Sequence, residues 1–124
     1  GTLHMVYMSF GRDSLQGEEL WREASQVERE KMREWITVAM TADLTKEAAG
    51  LNMPVLAVLT SRSWEPTETW DHAAHALGYQ NIAQLKGVRM LNSGHFVMLD
   101  EPRELAAAIR GFAPVGGNRV AAAR

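Results

Sequence analysis

The chain has 124 residues, enough for one small domain with a single hydrophobic core and too few for two. Its 46% hydrophobic and 23% charged residues exclude a disordered composition, and a net charge of −2 with both signs interspersed offers neither a basic stripe for nucleic acid nor a polybasic cluster for anionic lipid. The sequence holds no cysteine, which excludes disulfides, thiolate zinc sites and a cysteine nucleophile and fits a cytoplasmic location.

The opening Gly1-Thr2-Leu3-His4-Met5 reads as a tag remnant, residues 1–5, with the natural frame expected from Met5. A strand is a candidate over Thr2–Met8. Between Leu15 and Met40 the apolar positions Leu20, Trp21, Ala24, Val27, Met32, Trp35, Ile36 and Ala39 recur at three-and-four spacing, which predicts two amphipathic helices. Ser25 followed by Glu28 predicts a capping box at the start of the second helix. Asp43-Leu44-Thr45 opens a short helical turn ending at Gly50.

From Pro54 the pattern changes. Val55-Leu56-Ala57-Val58-Leu59 is a continuous β-favouring run, the mark of a strand buried on both faces in a parallel sheet. The polar loop Thr60-Ser61-Arg62-Ser63-Trp64-Glu65 follows; Pro66 is placed as a first helical residue, with the helix over Thr67–Leu77 ended by Gly78. A second strand is predicted at Val88-Arg89-Met90-Leu91, then a turn-rich loop at Asn92-Ser93-Gly94-His95-Phe96, then a closing helix from Pro102 to Phe112. Residues 114–124 read as a tail. The order β-α-β-α predicts an α/β fold with two parallel strands and a right-handed crossover. Functional residues in such sheets lie in loops beyond the carboxyl ends of the strands, here Thr60–Glu65 and Asn92–Val97.

The run Pro54-Val55-Leu56-Ala57-Val58-Leu59, followed by Ser93-Gly94-His95-Phe96-Val97-Met98-Leu99-Asp100-Glu101-Pro102, resembles the C-terminal part of an α/β-hydrolase. The resemblance covers about Asp43 to Phe112 and extends more weakly over the preceding helices, which look like the family's cap. It implies a partial α/β-hydrolase fold with a short parallel sheet, divided into a cap-like helical segment (6–43) and a βαβα unit (44–113). It also implies that His95 stands at the family's general base, a role suited to a side chain that titrates near neutrality. In that family an Asp lies nine residues after the strand's leading Pro; the same count from Pro54 reaches Ser63, and Glu65 two residues on is the candidate substitute acid. The family's glycine after the strand is absent, with Thr60-Ser61 in its place.

The nucleophile elbow, Gly-x-Ser-x-Gly between a strand and a helix, does not occur. Tyr7-Met8-Ser9-Phe10-Gly11 has only the trailing glycine, and Arg12-Asp13-Ser14 has neither. Whether the chain is an enzyme is therefore open, and the resemblance implies no cofactor. Trp64 and Phe96, beside the histidine loop, are candidate substrate contacts, whereas Trp21 and Trp35 fall at helical spacing suited to core or interface. Glu68, His72 and His75 could share a helix face near Asp71, but without a third strong ligand in a stereotyped spacing no metal site is assigned.

A parallel pair flanked by helices leaves a strand edge and apolar helix faces bare, which predicts a homodimer or higher oligomer, or a complementary N-terminal hydrolase half. Neither nucleic acid nor membrane is an expected partner. Three functions remain open: a hydrolase remnant that oligomerises without triad chemistry and binds a small apolar molecule, one piece of a split esterase-like hydrolase, or an interaction domain acting through Leu15–Met40.

Overall fold

The computed structural model describes residues 1–113 as an α/β protein of seven helices and a two-stranded parallel sheet. The expected tail lies outside these residues. In chain order the elements are α1 (Thr2–Phe10), α2 (Ser14–Ala24), α3 (Arg29–Thr41), α4 (Thr45–Ala48), β1 (Val55–Thr60), α5 (Trp70–Ala76), β2 (Leu85–Met90), α6 (Val97–Asp100) and α7 (Pro102–Phe112).

The strand expected over Thr2–Met8 is instead the body of α1. A helix satisfies its own backbone hydrogen bonds, and in this one His4 and Tyr7 lie at the spacing that presents both rings to Trp21 on α2, at 5.1 and 6.0 Å between centroids. α2 starts where Asp13 accepts the Gln16 backbone N–H, at 2.9 Å, a side-chain N-cap. The Ser25–Glu28 capping box does not form. Ser25 closes α2 instead, its hydroxyl donating to the Arg22 carbonyl at 2.9 Å. α3 then begins at Arg29 without a side-chain cap, and Glu28 turns to Lys31 at 3.6 Å.

In the sheet, β1 pairs with β2 from Val55↔Leu85 to Thr60↔Met90. β2 therefore begins three residues before the predicted strand, because pairing with β1 overrides the weak β preference of Lys86 and Gly87. Alternation puts Val55, Ala57 and Leu59 on one face with Leu85, Gly87 and Arg89, the side covered by Trp70 of α5. α5 starts at Trp70 rather than at Thr67. The Thr69 hydroxyl caps it, and the segment before it is held open by Arg89, whose guanidinium donates to the Pro66 and Glu68 carbonyls at 2.8 and 3.0 Å. The helix ends as expected at Gly78, in the left-handed region (φ 76°), with Gly78 N–H bonded to His75 O and Tyr79 N–H to Ala74 O.

The core is small. Among the described residues Met32, Ala73, Ala74, Met90 and Val97 are its buried apolar members, and no large side chain is completely enclosed. On α3 only Met32 is buried, while Trp35 is 70% and Met40 81% exposed. No helix among the described residues is long and apolar enough to cross a membrane.

The contact between α1 and α2 depends on Gly17, where a Cβ would lie 2.7 Å from the Met8 carbonyl oxygen. Helix preference alone would favour Gly17→Ala by roughly 0.5–1 kcal/mol. The clash is with backbone, which cannot rotate away, and overpacking of this kind costs about 1–3 kcal/mol. Gly17→Ala is therefore expected to be net destabilising, read as a lower urea midpoint at unchanged slope.

Candidate functional site

The loops leaving the carboxyl ends of the two parallel strands lie side by side, joined by the Ser61 hydroxyl donating to the Leu91 carbonyl at 3.2 Å. The second loop carries His95. Its backbone N–H donates to the Phe10 carbonyl at 2.8 Å, and its imidazole stacks on the Phe10 ring with centroids 4.5 Å apart and planes 23° from parallel. Phe96 meets the same imidazole edge-on at 5.0 Å. Aromatic packing and a main-chain bond thus hold the histidine against the end of α1.

A buried carboxylate sets the shape of this loop. The Asp100 side chain, 1% exposed, accepts the Gly94 N–H at 2.8 Å through Oδ2. Its Oδ1 accepts Gln16 Nε2 at 2.6 Å and Arg12 Nη1 at 3.3 Å. Gly94 has to be glycine: a Cβ there would lie 2.5 Å from Arg12 N and 2.7 Å from Phe10 O. Ser93, also buried, donates its hydroxyl to the Gly94 carbonyl at 2.9 Å.

His95 itself is exposed, and its ring makes no hydrogen bond among the described residues. Its pKa lies below the usual histidine value, first because packing on Phe10 and Phe96 partly shields the ring from water and second because of the Arg62 cation. Arg62 comes from the loop after β1, with its guanidinium over the Phe10 ring at 5.4 Å. The group that loop brings to the histidine is a cation, where the resemblance calls for an acid.

Ser63 and Glu65 are both exposed and neither is hydrogen-bonded to His95. The Ser63 N–H donates to the Thr60 carbonyl, and the Glu65 N–H donates to Glu68 Oε2 at 3.1 Å. Trp64 turns the other way. Its indole N–H donates to the Glu68 carbonyl at 2.9 Å, its ring carries the Arg89 guanidinium at 4.0 Å, and Trp70 packs on it at 5.0 Å. With Leu56, Trp70, Val88 and Phe112 it lines a cavity of about 490 Å³ along β2, away from His95. Phe96 stays beside His95 and Phe10.

Glu68, just before α5, pairs with His72 on that helix, and the hydrogen bond from His72 is the main reason the Glu68 pKa is lowered. Among the described residues no three His, Asp or Glu side chains converge to hold a metal ion. Ser9 and Ser14 do not act as elbows: the Ser9 hydroxyl donates to the Val6 carbonyl within α1, and Ser14 is the first residue of α2.

Sequence reading missed Phe10, Arg12, Gln16 and Arg62. Only the Asp13 cap left a local signal; the rest join parts of the chain that no periodicity connects. No family model, no curated protein and no solved structure matches the chain.

Two outcomes follow from this geometry. Asp100→Ala would strand the Gly94 N–H and Gln16 Nε2, costing roughly 1–3 kcal/mol in denaturant unfolding and displacing the His95 amide resonance. The folded state also favours neutral His95, so the unfolded chain binds the proton more readily. The histidine's contribution to stability is present above its unfolded pKa, near 6.5, and is lost as pH falls through the lower folded value. NMR titration of His95 should give a midpoint below 6.5, and Arg62→Gln should raise it.

Proposed function

We propose that the chain is an α/β-hydrolase-like module that supplies the histidine loop and the end of the sheet to an assembly, and that by itself it performs no triad chemistry. The observation that carries this reading is the condition of His95. The ring is held by stacking and its loop is fixed by Asp100, yet among the described residues neither a carboxylate nor a hydroxyl bonds to the imidazole. A general base works only on a proton within about 2.6–3.2 Å, and an imidazolium in this family needs an acid to orient it. The nucleophile, the oxyanion donors and further strands would come from outside these residues, either from a complementary N-terminal half or from a distinct partner chain.

Association is supported by the surface. Among the described residues β1 has β2 as its one partner in a two-stranded sheet, and α3 leaves Trp35, Val38 and Met40 largely in water. Edges and apolar faces of this kind favour pairing. The exposure of Trp35, Val38 and Met40 also supports the second reading, a helical interaction surface over Leu15–Met40.

With a p-nitrophenyl ester the isolated chain should show only background hydrolysis, equal to that of His95→Ala. A complementary half bearing the elbow should restore turnover, and His95→Ala in the reconstituted pair should remove on the order of a thousandfold of it or more. Turnover by the lone chain that disappears in His95→Ala would overturn the proposal. Light scattering after size exclusion should give more than one protomer's mass at micromolar concentration; a stable monomer would contradict self-association.

A further inference from the structure

We infer that Arg62 and His95, mounted on the Phe10 ring, form a binding site for an organic carboxylate with an apolar body. Three segments build the site: the loop after β1 supplies the guanidinium, the loop after β2 the imidazole, and the end of α1 the aromatic platform. The two loops are tied by the Ser61–Leu91 bond, and His95 by its main-chain bond to Phe10, so neither polar group sits on a free-swinging segment. The position is also the one where ligands gather in open parallel sheets, beyond the carboxyl ends of the strands.

The charges nearby point the same way. Arg62 and His95 pack on the same Phe10 ring, 5.4 and 4.5 Å from its centroid, and neither side chain is hydrogen-bonded to a carboxylate among the described residues. The other local cation, Arg12, is engaged with Asp13 and Asp100. Two donors on exposed residues, without an anionic partner among the described residues, suit an incoming oxyanion. A guanidinium presents two parallel N–H groups to a carboxylate, and a neutral imidazole adds a single N–H. The rings of Phe10 and Phe96, set edge to face with centroids 6.1 Å apart, give the apolar body a surface to lie on. The assignment stands apart from the hydrolase-like reading, since binding requires neither a nucleophile nor a partner chain.

The test is an NMR titration of the full chain, following the His95 ring resonances with benzoate, benzamide and inorganic phosphate as probes. Benzoate should shift these resonances saturably and raise the His95 titration midpoint, because a bound anion favours the imidazolium. Phosphate should act more weakly, and neutral benzamide should have little effect. Arg62→Gln, an exposed change, should weaken benzoate binding about tenfold, with Arg62→Lys in between because it keeps the charge and loses the fork. No response to benzoate, an equal response to benzamide, or undiminished binding in Arg62→Gln would each overturn the site. Phosphate binding as well as benzoate would overturn its apolar half.

Discussion

The architecture around His95 depends on one buried carboxylate. Asp100 is the last residue of a four-residue helix, α6, and its side chain is almost wholly removed from water. A charge in that position is tolerated only if hydrogen bonds replace the lost solvation. Gly94, Gln16 and Arg12 provide them from the histidine loop, the first turn of α2 and the joint between α1 and α2. The same three bonds bring α1 against the loop, and so give the imidazole its stacking partner.

Where local chemistry decided structure, the sequence was legible. The apolar run at Val55–Leu59 became a parallel strand, Gly78 ended its helix in the left-handed conformation, and Pro102 opened the last one. Local chemistry failed where tertiary partners claimed the backbone. Arg89 took the Pro66 and Glu68 carbonyls and delayed α5; Ser25 was spent on the end of α2; and pairing with β1 drew Lys86 and Gly87 into the sheet. At the site, His95 could be singled out from its neighbours in sequence. Its stacking partner and its charged neighbour could not, because Phe10 and Arg62 reach it from other segments.

The two strands and the helices around them bury little. Ala73 and Ala74 are buried on α5, but small side chains remove little apolar area, and α3 contributes Met32 almost alone. Such a structure has rigid places, fixed by hydrogen bonds and stacked rings, joined by elements with few buried contacts. The histidine loop belongs to the first kind and α3 to the second.

The bonds at Asp100 connect residues 84 and 88 positions apart in the chain, whereas the β1–β2 pairing closes over a much shorter span. Contacts between distant residues carry the larger loop-closure entropy and form late unless something local draws them together. The helical turns and the strand pair can therefore assemble before the loop around His95 takes shape. Order at that histidine marks the moment when the two ends of the described chain have met.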